Sequence, residues 1–166
     1  MRYWSVVAGA EGRDYTDAFL KYGLAFVGGK SQEAVMRKVD TGDCMILRRG
    51  MSEVVAVGRV VERNGESGGD GDKDWLWDFD GWELPGYLYV EWHILPGPIK
   101  TRGLARGTIR QVHKTHLKEL ADKVLSDVPP ATHLAPEPSP TKDIADEQRA
   151  GWVDSDPPEK GCWWCW

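Results

Sequence analysis

Leu88, Val90, Trp92 and Ile94 occupy every second position of residues 87–95, so their side chains share one side of an extended chain. A strand of this kind has an apolar face to bury, which commits the chain to a sheet packed against other elements. The same pattern extends toward the N-terminus. Residues 2–8 combine aromatic and β-branched types and stop at Gly9 and Gly12, which marks a buried strand. Residues 24–27 make a second short strand closed by Gly28 and Gly29, and residues 44–47 and 54–61 flank Arg49-Gly50-Met51 as a hairpin. Pro96 and Pro98 are expected to end the strand of residues 87–95.

Short helices are expected between these strands. Asp14 suits an N-cap, Tyr15, Phe19 and Tyr22 fall on one helical face, and Gly23 stands where a C-terminal cap belongs. Ser31 is expected to cap a second helix through Val35, Met36 and Val39, before the turn at residues 40–43. Thr108 and Gln111 have capping-box spacing, so a third helix is expected, with Ile109, Val112, Leu117, Leu120 and Val124 on its inner face. Residues 64–73 are mostly Gly, Asp, Ser and Glu and read as a mobile loop. From Val128 onward, prolines and acids indicate a disordered tail. A chain of 166 residues suits one domain with a real core. The expected architecture is therefore α+β, a small curved barrel of about five to six strands flanked by short helices over residues 1–126. A linker or tail of residues 127–166 follows.

Net charge is −5, with 21 Lys and Arg against 26 Asp and Glu, but the distribution is uneven. Between residues 93 and 125 only Glu119 and Asp122 oppose Lys100, Arg102, Arg106, Arg110, Lys114, Lys118 and Lys123. Location of charge matters more than its sum, so a phosphate-bearing partner is not excluded. Lys100, Arg106 and Arg110, extended by Arg48 near the hairpin turn, form the candidate phosphate track, and a solvated helix face is the competing explanation. Arg106 and Arg110 are placed at the start of the expected third helix, where free amides also favour anions. No apolar run approaches the roughly 20 residues that cross a bilayer, and no signal peptide opens the chain. Cys44, Cys162 and Cys165 give no disulfide framework, which fits a cytoplasmic protein.

Trp75, Trp77, Phe79 and Trp82 cluster in a Gly- and Asp-rich setting without core periodicity. Such side chains need either a core to cover or a ligand to hold. One explanation is a lid over an open barrel end; the other is a cage that stacks on an unpaired base, at about 1–3 kcal/mol per contact.

Several short motifs occur in order: Arg2-Tyr3-Trp4-Ser5-Val6-Val7-Ala8-Gly9, Lys21-Tyr22-Gly23-Leu24-Ala25-Phe26, Val55-Ala56-Val57-Gly58-Arg59-Val60, and residues 77–92. The series resembles the EVE and YTH branch of the PUA-like superfamily over residues 2–125. Members of that branch bind modified or flipped bases in DNA or RNA. The resemblance implies a cage formed by Trp77 and Trp82, five positions apart, ahead of a strand closing in Glu91-Trp92. It also implies a phosphate contact from Arg106 and base-edge readout by the backbone of Ala8, Gly9 and Ala10. The branch often takes a further cage Trp from the second strand; here Ala25 holds that position and Phe26 beside it is the candidate wall. Relatives of this kind serve in modification-dependent restriction. The implied partner is therefore DNA carrying a modified base, with RNA the close alternative and an effector nuclease a possible associate.

Other constellations are weaker. A protein-interaction module that docks a partner through the aromatic loop is a separate alternative. His113 and His116 stand three apart on a helix but lack an acidic partner at ligand spacing. The aspartates of residues 70–80 miss the Glu and Gly that a calcium loop requires. Cys162 and Cys165 make half a zinc site by spacing, with an idle hydrophobic terminus as the simpler explanation. No nucleophile elbow, catalytic triad or phosphate-cradling loop is present, so the chain reads as a non-catalytic binder without a cofactor.

Overall fold

A computed structural model of the chain describes residues 1–9, 14–28, 30–69 and 86–134. The elements in order are β1 (Tyr3–Val7), α1 (Thr16–Tyr22), β2 (Leu24–Val27), α2 (Lys30–Met36), β3 (Cys44–Arg49), β4 (Glu53–Val60), β5 (Gly68–Gly69), β6 (Gly86–Lys100), β7 (Ile109–Gln111) and α3 (Thr115–Asp127). The main strands lie in the order β2-β6-β4-β3-β1-β7, and the two-residue β5 pairs with β6. Only the β1–β3 pair is parallel, so the sheet is mixed, and it curls into a half-barrel.

Strand alternation assigns the two faces. Inside the curl lie Trp4 and Val6 of β1, Met45 and Leu47 of β3, Phe26 of β2 and Trp92 of β6, closed by Phe19 of α1 and Met36 of α2. On the outer face Cys44 and Ile46 of β3 and Val54 and Val57 of β4 pack against Leu117, Ala121 and Val124 of α3. Those three helical positions are four and three apart, which sets one stripe toward the sheet.

Several expected elements take the expected form. The N-cap of α1 is Tyr15 and not Asp14, which stands one position ahead; the Asp14 carboxylate accepts from Thr16 N–H at 2.9 Å and from the Thr16 hydroxyl at 2.5 Å. These two bonds hold its pKa below the ordinary carboxylate value. Gly23 ends that helix in the left-handed region at φ 63°, donating to Phe19 O. A side chain there would strike the Arg63 guanidinium and the His133 ring.

Four expectations are corrected. The residues read as a capping box form a strand: Ile109, Arg110 and Gln111 pair with Val6, Ser5 and Trp4, and α3 begins only at Thr115. Pairing with β1 satisfies these backbone groups better than a helical turn whose only local support was Thr108 and Gln111. Ser31 lies inside α2, which starts at Lys30. β6 runs through Pro96 and Pro98 to Lys100, because the β4 ladder skips from Ala56↔Ile94 to Val54↔Ile99, so neither proline sits at a paired position. The stretch read as a loop opens with a tight hairpin. Arg63 and Glu66 exchange backbone bonds around Asn64 and Gly65 at φ 54° and 83°, and Gly68 and Gly69 then pair with β6.

Residues 128–134 also pack where a tail was expected. Ala131 N–H donates to Trp92 O at 2.8 Å and Leu134 N–H donates to Lys21 O at 2.9 Å. Between them, His133 accepts Trp92 N–H on Nε2 at 3.0 Å and donates from Nδ1 to Leu20 O at 2.8 Å. The ring makes both bonds only when neutral. Burial lowers its pKa and Arg63 adds to this; the Leu20 bond and Glu91 oppose, and the net shift is downward from 6.5. The unfolded chain therefore binds the proton more readily. Stability from this group is complete above about pH 6.5 and is lost as pH falls through the folded value. Denaturant midpoints measured between pH 7 and 5 should decline, and His133→Gln should flatten that decline.

Candidate nucleic-acid interface

Strand direction determines which residues meet. β1 and β3 run parallel and finish side by side, Val7 opposite Arg48. The antiparallel β4 begins at the same end with Glu53, opposite Lys100, the last residue of β6. Residues 101–108 then cross this rim to reach β7, and Val7 N–H donates to Thr108 O at 2.9 Å. The topology thus brings Arg48, Lys100, Arg106 and Arg110, which are far apart in sequence, to one end of the sheet.

Lys100, Arg106 and Arg110 are exposed. Arg110 Nε donates to Arg106 O at 3.1 Å. Among the described residues, none of the four cations forms an ion pair with a carboxylate; the ion pairs found there join Arg2 to Asp40 and Asp43, and Arg37 to Glu33. Arg49 stands beside them and its charge helps lower the Asp14 pKa. The helix-terminus contribution does not apply, since Arg106 precedes β7 and Arg110 is the middle residue of β7, both before α3 begins.

Arg48 departs from the expected open phosphate contact. It is 3 % exposed, and its guanidinium donates to Gly50 O and Gly107 O instead of reaching solvent. A β-bulge between Leu47 and Arg48 breaks the regular β3–β4 register just there.

Phe26 also departs from the expected pocket wall. At 4 % exposure it is a core residue, with its ring 4.7 Å from Phe19 edge-on and 5.3 Å from Tyr15. Ala8 is buried and its carbonyl accepts Tyr15 N–H at 2.8 Å, while Gly9 turns the chain at φ 131°. Tyr15, half-buried, therefore joins the end of β1 to the aromatic cluster around Phe26. The sequence places Tyr15 only on a helix face, whereas it is the N-cap of α1; its position between Asp14 and Thr16 was the available signal.

Trp77, Trp82 and Ala10 lie outside the described residues, as do Cys162 and Cys165. The chain leaves the described sheet at Gly69 and re-enters at Gly86, at the end of β6 opposite Lys100. A groove of about 380 Å³ opens there between α2 and the β5–β6 pair, bordered by Met36, Arg37, Ser67, Tyr87 and Leu88.

His113 and His116 are exposed, and His116 Nε2 bonds Arg102 O at 2.9 Å. Among the described residues no group of three His, Cys, Asp or Glu side chains is placed to hold a metal ion. Among them, too, no helix is long and apolar enough to cross a membrane. No family model matches the chain, and no curated protein matches it.

Proposed function

We propose that this chain is a nucleic-acid reader of PUA-like build that holds a modified base, flipped from its strand, against aromatic side chains. The observation that carries this reading is the rim itself. Exposed Lys100, Arg106 and Arg110 lie at one sheet end with no carboxylate partner among the described residues, beside the Ala8–Gly9 backbone at the end of β1. Backbone phosphates favour clustered cations of this kind, because each contact releases counterions. In this arrangement the three cations grip the strand and the β1 end reads the base edge. Trp77 and Trp82 supply the stacking walls, a role resting on their sequence spacing alone, since their segment leaves and re-enters the sheet at the end of β6 away from Lys100, and Tyr15 takes the supporting place first assigned to Phe26. DNA carrying a modified base, in a restriction or defence setting with an effector nuclease, is the preferred ligand context. RNA is the alternative substrate of the same site.

Tryptophan fluorescence during titration with modified and unmodified oligonucleotides tests the proposal. Quenching should be stronger with the modified strand and should weaken with salt. Arg106→Ala should weaken binding similarly for all sequences and reduce the slope of log K against log salt by about 0.7–0.9, one phosphate contact. Identical, salt-insensitive responses to both oligonucleotides would remove the basis for a reader.

A further inference from the structure

The most unusual side chain in the described fold is Arg48. It is the one buried Arg or Lys among the described residues, and no carboxylate there neutralises it. Nη1 donates to Gly50 O at 2.5 Å and lies 3.8 Å from Met51 Sδ, Nη2 donates to Gly107 O, and Nε has no acceptor. Burying a cation without a counter-charge is costly, and burial lowers its pKa accordingly. An apolar side chain would avoid that cost at this position, but it would make neither carbonyl bond.

The two carbonyls belong to different segments. Gly50 lies in the β3–β4 turn, whereas Gly107 lies in the rim segment that carries Arg106 and leads to Arg110. Gly107 has φ 111°, and a Cβ there would come within 2.8 Å of Arg110 Nε, so the Arg110 side chain lies directly over its backbone. Arg110 Nε in turn bonds Arg106 O. Contacts therefore run continuously from Arg48 through Gly107 to both exposed arginines.

We infer that Arg48 is a positioning residue for the anion-gripping rim: by holding the Gly107 carbonyl it fixes the segment from which Arg106 and Arg110 reach a phosphate backbone. This rests on the rim being the nucleic-acid interface. The buried charge, without a counter-ion among the described residues, also adds to the positive potential at that end of the sheet.

The test uses the full chain with Arg48→Met, which preserves bulk but removes all donors, and Arg48→Lys, which keeps the charge but cannot make the two-carbonyl fork. Two measurements are needed: amide hydrogen exchange without ligand at the N–H groups bonded across this segment, and oligonucleotide affinity in a cycle with Arg106→Ala. Exchange at Val7, whose N–H donates to Thr108 O, and at Ile109, whose N–H donates to Gln32 Oε1, should accelerate in Arg48→Met. Affinity should fall roughly tenfold in the single variant and much less in the Arg106→Ala background, because coupled residues are non-additive. Arg48→Lys should show the same non-additivity with a smaller loss, and it carries the test if Arg48→Met does not fold. Unchanged exchange overturns the positioning role, and fully additive losses mean that Arg48 acts independently of Arg106. A wild-type chain that binds no oligonucleotide overturns the interface itself, while the exchange result separately reports whether Arg48 holds the segment.

Discussion

Trp92→Ala should lower unfolding free energy by about 3–5 kcal/mol, the usual cost of emptying a large aromatic site in a core. Trp92 is fully buried inside the curl, and its Nε1–H donates to Leu24 O at 3.0 Å, joining β6 to the start of β2. Truncation leaves that carbonyl without its partner, which adds about 1–3 kcal/mol where water cannot replace it. A domain of this size has a total stability of roughly 5–15 kcal/mol, so the variant should be substantially unfolded in mild denaturant. Trp92→Phe keeps part of the packing, leaving a smaller gap than alanine while losing the hydrogen bond; its midpoint should fall between wild type and alanine. Urea titration followed by circular dichroism reads both, and an alanine loss below about 1 kcal/mol would mean that the curl repacks around the gap.

The second large effect is expected at Asp43. Its buried carboxylate accepts Arg2 N–H at 2.8 Å, Trp4 Nε1–H at 2.9 Å, Asp40 N–H at 3.1 Å and Arg2 Nε–H at 3.2 Å. One side chain thus connects the entrance of β1, the turn before β3 and the Trp4 indole in the core. Asp43→Ala strands several of these donors at once and should cost on the order of 3 kcal/mol. Asp43→Asn should cost less, since one oxygen still accepts. Burial alone would raise the Asp43 pKa, but the bonds from Arg2, Trp4 and Asp40 and the charge of Arg2 outweigh it and lower it below 3.8. The folded chain therefore releases this proton more readily than the unfolded one. Its stabilisation is complete above about pH 3.8 and disappears as pH falls through the lower folded value. Acid unfolding monitored in wild type and Asp43→Asn should show that component in the first and not in the second.

Much of this fold was legible wherever the signal was local. The burial of Leu88, Val90 and Trp92 in β6, the Gly23 stop of α1, and the β3–β4 hairpin each depend on residues within a few positions of one another, whereas Ile94, expected on the same buried face, is 39 % exposed. The missed elements depend on distant partners. Ile109, Arg110 and Gln111 are a strand because Val6, Ser5 and Trp4 are available to pair, and no window around residue 109 contains those residues. Residues 128–134 are ordered by Trp92 and α1, not by their own composition. The Asn64-Gly65 turn was the exception: its signal is local, but the polar residues around it obscured it.

The candidate interface divides in the same way. Residue identity established that basic side chains are concentrated after β6 and that tryptophans cluster before it, because charge and aromaticity are carried by single residues. It did not establish which cations share a rim, since that depends on β1 and β3 ending together and on β4 and β6 returning to the same end. Nor did it separate exposed Arg106 from buried Arg48. A guanidinium is chemically the same in both places, and only the packing around it decides whether it meets solvent or two backbone carbonyls.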